Sequence, residues 1–200
     1  MKFHKYLEQL LGNKAAISVL RALFEYKGMV FTVRRLAETA NISHTEANQT
    51  IDRLEKLGIV KVQPVGKAYR LSLNDKSYAL NKIVGPIFIA ENKTLETLAQ
   101  VLKKHLDTKK IISSAVFGSV AREEEKEDSD IDLLVISDYP DDSYAVIGNA
   151  KTEVSEIFGG NISPIVFSKK EFIAKKRSDL VRSILDDHIM IQGIELEKIK

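Results

Sequence analysis

One stretch limits what this chain can fold into more than any other. It runs Phe117-Gly118-Ser119-Val120-Ala121-Arg122, crosses a polar segment, and resumes as Ser129-Asp130-Ile131-Asp132-Leu133-Leu134-Val135-Ile136. The apolar run Ile111 to Phe117 reads as a strand that ends in a Gly-Ser turn. Residues i and i+2 of a strand share a face. A second strand beginning near residue 130 therefore sets Asp130 and Asp132 side by side, with Ile131 and Leu133 pointing into the core. Two adjacent carboxylates repel each other unless something positive lies between them. A hard divalent cation, Mg²⁺ or Mn²⁺, takes oxygen ligands and meets that need. The Gly-Ser turn before a helix start offers backbone N–H groups and a hydroxyl to a phosphate. Cation and phosphate cradle together point to nucleotide chemistry.

Two hundred residues allow one large or two small domains. The absence of cysteine excludes disulfides and thiolate chemistry, and points to a cytoplasmic protein. No apolar run reaches the roughly 18 residues a spanning helix needs, and MKFHKYLEQL does not read as a signal peptide, so no membrane partner is expected. The four histidines, His4, His44, His105 and His188, have no partner at metal-ligand spacing, and no zinc site is predicted. Charge is uneven. Residues 1–90 hold 14 Lys+Arg against 7 Asp+Glu, and residues 91–200 hold 16 against 21. A basic half joined to an acidic half suggests a different partner for each.

The basic half carries helical spacing over Lys14–Tyr26 (Ile17, Leu20, Leu23, Phe24), then a helix near Val33–Ala40 with Thr32 as N-cap. Ser43 caps a third helix, Thr45–Leu57, and opens a capping box with Glu46. Gly58 stops that helix. Two alternating strands follow, Ile59–Val62 and Ala68–Leu73, with Pro64 and Gly66 in the turn. The layout "LAETANISHTEANQTIDRLEKLGIVKV…GKAYRLS" resembles the winged helix-turn-helix domains of bacterial and archaeal transcription regulators. The resemblance implies double-stranded DNA as partner, with the third helix in the major groove and the wing on the backbone. It would place His44, Thr45, Asn48, Gln49 and Arg53 toward bases, and Arg34, Arg35, Lys61, Lys67 and Arg70 toward phosphates. Winged helices also serve as protein-interaction modules, in which case these side chains form a solvated face.

Residues 75–108 read as a helical connector, with two helices meeting at Gly85-Pro86 and a stripe of Leu95, Leu98, Val101, Leu102 and Leu106. Such a connector either packs on its own domain or forms a homodimer, which a symmetric DNA site would favour.

Gly118-Ser119, Ala121-Arg122 and Ser129-Asp130-Ile131-Asp132-Leu133-Leu134-Val135 resemble the signature of the DNA polymerase beta nucleotidyltransferase superfamily, its minimal members above all. The resemblance covers about residues 93–195. It implies an α/β domain with a short mixed sheet, a nucleoside triphosphate held by Gly118, Ser119 and Arg122, and Mg²⁺ or Mn²⁺ on Asp130 and Asp132. The implied reaction transfers a nucleoside monophosphate to an acceptor hydroxyl. The acidic run Glu123–Asp128 would repel an anionic acceptor such as RNA and so argues for a protein or small-molecule acceptor, and the same analogy adds a toxin partner. Two departures stand out. Glu123 occupies the place of a glycine and opens the acidic run Glu123–Asp128. The strand that brings a third carboxylate in active members is here Asn161–Phe167, with Ser163 in that place. Glu153, Glu156 and Glu171 read as helix-surface residues. Asp187-His188 reads as a helix end.

The sequence therefore predicts an α/β (α+β) two-domain chain. A winged helix (1–74), a helical connector (75–108) and a nucleotidyltransferase-like domain (109–200) follow one another. Two functions remain open: a DNA-binding enzyme, or a transcription regulator whose second domain only binds nucleotide or a protein partner.

Overall fold

A computed structural model describes residues 7–66 and 68–200. They form two compact units, divided between Lys93 and Thr94. The predicted connector is thus split. Its first part belongs to the first unit and its last helix to the second.

The first unit opens with α1 (Leu7–Leu11) and α2 (Lys14–Glu25), the latter started by Asn13, whose Oδ1 accepts from Ala16 N at 3.2 Å. Helices α3 (Val33–Thr39) and α4 (His44–Lys56) start at Thr32 and Ser43. Each of these side chains accepts the N–H three residues on, satisfying a donor the helix cannot. At Ser43 the described bond is this one alone. The reciprocal box, predicted there, closes instead at Ser168 with Glu171. Strands β1 (Val60–Val65) and β2 (Ala68–Leu73) pair antiparallel, and Phe31 bridges to Leu71. Leu20, Leu36, Leu54, Ile59 and Leu71 are fully buried among them. A π-helical turn, Leu80–Val84, passes without a loop into α5 (Gly85–Asn92). Pro86 sits in the first turn of α5, where a missing N–H is tolerated, so the chain continues here instead of breaking. Phe88 of α5 packs on Phe24 of α2 with ring centroids 5.5 Å apart, and Arg21 pairs with Glu91 at 2.7 Å. That packing ties residues 75–93 to the first unit.

The second unit begins with α6 (Thr94–Leu106). A four-stranded mixed sheet of β3 (Ile111–Phe117), β4 (Ile131–Ser137), β5 (Ile162–Phe167) and β6 (His188–Gly193) follows, in the order β5-β4-β3-β6. Only β4 and β5 run parallel; their crossover is α8 (Pro140–Phe158), which ends on Gly159 in the left-handed conformation. Pro164 is tolerated because β5 is an edge strand. Both sheet faces are covered. Ile131, Leu133 and Val135 pack with α6 and α8. Leu134 and Ile136 pack on the other face with Phe172 of α9 (Lys169–Ala174), with Val181 and Ile184 of α10 (Asp179–Asp186), and with Leu196 and Ile199. This double burial explains the near-continuous apolar run in β4. Leu180, on the outer side of the short α10, is 46% exposed.

Candidate functional site

The site is built at the end of β3. Phe117 closes the strand, and Gly118 turns the chain at φ 73° into a single helical turn, α7 (Gly118–Ala121). Phe117 lies in register with Asp132 on the antiparallel β4. The carboxylate is pressed against the turn: a β-carbon at residue 118 would lie 2.1 Å from Asp132 Oδ2. Glycine is therefore required twice, for its positive φ and for this contact.

Asp130 stands one step before β4, and Asn161 Nδ2 donates to its Oδ1 at 3.3 Å. Asp132 is half-buried. Burial, and then the neighbouring Asp130 carboxylate, push the Asp132 carboxyl above its ordinary range, while the Arg122 guanidinium pulls the other way. An acid destabilised in its charged form next to a second acid is a fitting donor set for a hard cation. Arg122 itself donates from Nε to Glu124 Oε2 at 3.0 Å. Ser119 lies in the turn, half-buried, and its carbonyl accepts from Glu124 N at 2.9 Å.

Two departures noted in the sequence take physical form here. Glu123 adopts φ 58°, the left-handed conformation that glycine favours. Ser163 lies in register with Asp132 on the parallel β5, half-buried beside it. Two of the three glutamates considered in its stead are engaged elsewhere. Glu153 is taken by Lys104 Nζ at 2.8 Å and by His105 Nε2, on the α6–α8 side of the sheet; those bonds, the lysine's first, hold its carboxyl low. Glu171 accepts from Ser168 N and Oγ at 2.9 and 2.8 Å, which likewise lowers it. Glu156 is exposed on α8.

In the first unit, His44, Thr45, Asn48 and Gln49 are all exposed at the start of α4. Asn48 Nδ2 bonds the His44 carbonyl at 3.0 Å and its ring nitrogen at 3.1 Å. Arg34 pairs with Glu38 at 3.0 Å. Arg35 and Arg70 are exposed, Lys61 is half-buried, and Arg53 carries a buried Nε without a partner. Lys67 lies outside the described residues.

Sequence reasoning missed one cluster. His188 does not end a helix but opens β6, and its ring lies beside Glu195 and Glu197. Adjacent-residue spacing gave no sign of this, since the chain must reverse after Gly193 to bring them together.

With this geometry in place, comparison with known proteins narrows the reading. Residues 95–191 match the nucleotidyltransferase domain family. That range holds the Gly118 turn, both aspartates and Ser163. Two proteins of Methanocaldococcus jannaschii, "Putative protein adenylyltransferase MJ1217" and its namesake MJ1215, are 49% and 47% identical over 47 residues. The match covers 22% of this chain, and 48% and 55% of those two relatives. Among solved structures, a toxin-antitoxin with AMP-PNP is 12% identical, with a TM-score of 0.34 over 50% of this chain and 76% of its own. TrmBL2, an archaeal chromatin protein, is 16% identical, with a TM-score of 0.31 over 90% of this chain and 72% of its own. Among the described residues no helix is long and apolar enough to cross a membrane.

Proposed function

We propose that the second unit is a nucleotidyltransferase that uses a divalent cation, Mg²⁺ or Mn²⁺, and moves a nucleoside monophosphate from a triphosphate to a hydroxyl of a protein acceptor. The observation that supports this is the contact between the Gly118 turn and the Asp132 carboxylate, which would set a phosphate cradle directly against a cation-binding pair. The name of the M. jannaschii relatives supports a protein as acceptor and adenylate as the group moved. Backbone N–H groups of the Gly118–Ala121 turn and the Ser119 hydroxyl hold the phosphates. Asp130 and Asp132 hold the cation, which when bound neutralises charge on the phosphate oxygens. Arg122 lies close enough to act on Asp132 and adds positive charge at the same edge. The acceptor oxygen bonds to the α-phosphorus, the α–β bridging bond breaks, pyrophosphate leaves, and the hydroxyl proton passes to solvent.

Ser163 favours a second reading. In register with Asp132, it sets a neutral hydroxyl where the resemblance implies a third carboxylate, and a serine neither takes a proton at neutral pH nor binds a cation strongly. On this reading the unit binds nucleotide without transfer. Incubation with α-labelled ATP, Mg²⁺ or Mn²⁺ and cell lysate separates the two. Label on protein that disappears in Asp130→Asn supports the enzyme. Nucleotide binding without label supports the second reading, and neither outcome together with no binding sinks both.

The first unit we infer to be a winged helix that binds double-stranded DNA. The exposed polar start of α4 and the cations Arg35, Lys61 and Arg70 support this. Fluorescence anisotropy with random duplex at low salt tests it; no binding at micromolar protein rejects it.

A further inference from the structure

His188 lies in the same row of the sheet as Phe117, and so on the face that carries Asp132. The chain leaves β6 at Gly193 and returns through a 3₁₀ turn, Leu196–Lys198, whose Leu196 is buried in the same core as Phe117. The return brings Glu195 and Glu197 to the imidazole. One ligand atom from each of the three residues lies within 4.8 Å of the others. His188 Nε2 stands 3.9 Å from Glu197 Oε1, beyond hydrogen-bond reach. The His188 side chain is only 10% exposed, and its ring faces the two carboxylates without a hydrogen bond to either. Among the described residues, neither glutamate pairs with a lysine or arginine. Lys176 Nζ donates to the carbonyls of Glu197 and Ile199, at 3.0 and 2.8 Å, and holds the returning chain, not the carboxylates.

We propose that His188, Glu195 and Glu197 hold a divalent cation, separate from the one assigned to Asp130 and Asp132. One imidazole and two carboxylates suit Zn²⁺ and its neighbours in the transition series, whereas Mg²⁺ prefers oxygen alone. Counting strand spacings of about 4.8 Å, with Phe117 between, this site lies roughly 10 Å from Asp132 across the sheet. One ligand comes from β6 and two from the return, so the ion ties the C-terminal turn to the sheet.

The test uses the full chain carrying Asp130→Asn and Asp132→Asn, stripped with chelator and titrated calorimetrically with Zn²⁺ and with Mg²⁺. One Zn²⁺ per chain is expected, with no Mg²⁺ binding of similar strength, and with a rise in Tm on loading. Adding Glu195→Gln and Glu197→Gln should weaken Zn²⁺ at least about tenfold and remove that rise. The Tm of the metal-free protein should stay unchanged, because both glutamates are exposed. Should the quadruple variant not fold, Glu195→Gln alone in the same background gives the same reading. No Zn²⁺ bound by the Asp130→Asn/Asp132→Asn protein overturns the proposal. So does binding that survives the glutamate changes, and the cluster is then a plain histidine–glutamate ion pair. Both readouts are independent of nucleotide transfer, so the outcome leaves the proposed function untouched.

Discussion

Two pairs of carboxylates, Asp130/Asp132 and Glu195/Glu197, gather on either side of Phe117 in the second unit's sheet, and they are held in different ways. The aspartates are near neighbours in sequence, and Asp132 is braced against the Gly118 turn while Asp130 is held by Asn161. The glutamates are brought to His188 by a chain reversal and a buried turn. In the first pair the backbone enforces closeness, and burial with like charge destabilises the ionised form of Asp132. In the second both acids are exposed and only the imidazole is shielded. Strain built into a site by its own strand registers as motif. Proximity produced by tertiary return does not.

The hardest way to break the first pair is Gly118→Ala. The new methyl meets the Asp132 carboxylate at 2.1 Å, in a conformation alanine resists. Loss of about 3 kcal/mol of stability is expected from strain and overpacking together, and nucleotide binding should go with it. Urea denaturation measures the first and calorimetric titration with ATP the second. Full stability in the variant would mean that Asp132 swings away freely and does not brace the turn.

Asp132→Asn gives opposite signs in two measurements. Cation affinity should fall by at least about tenfold, since one charged ligand is lost. The chelator-treated protein should nevertheless become more stable at neutral pH. The folded carboxyl titrates above its unfolded value, so the folded state holds more protons between the two. Stability therefore declines as pH rises from about 3.9 through the folded value, and asparagine removes that decline. A chelated variant less stable than the parent at pH 7 would contradict this. Glu153 runs the other way: its carboxyl is held low by Lys104 and His105, so its contribution is lost as pH falls.

Ser163→Asp sharpens the comparison by completing the first site instead of breaking it. Ser163 lies in register with Asp132, so a carboxylate there would join the pair on the same face. Mn²⁺ should bind about tenfold more tightly, and label transfer from ATP should rise. Tighter metal without faster transfer would favour the binding-only reading.

Much of this was legible. The strand at Ile131–Ile136 was legible, though its burial on both faces was not, and the caps at Thr32 and Ser43 fell where small polar residues precede apolar stripes. The place of Ser163, which the parallel pairing of β4 and β5 puts in register with Asp132, followed from the family resemblance. The division at Lys93 did not, because helical spacing runs through residues 75–106 and shows nothing of which core each face joins. Nor did the π turn at Leu80–Val84, which absorbs Gly85-Pro86 where a break is the simpler reading. His188 was hidden for a related reason: a tight return after Gly193 decides its neighbours, not its spacing.

The smallest expected effect concerns the turn that leads away from the first pair. Glu123 adopts φ 58°, and for a side chain with a β-carbon that conformation costs about 1 kcal/mol. Glu123→Gly relieves the strain but frees the unfolded chain, so a net gain below about 1 kcal/mol remains. The urea midpoint should rise with an unchanged slope. Glu123→Ala serves as the control, because it removes the charge from the acidic run and keeps the β-carbon. If both variants gain equally, the strain lies in charge repulsion along Glu123–Asp128. If only glycine gains, it lies in the backbone, and the turn next to the aspartates is held by the same kind of constraint as Gly118.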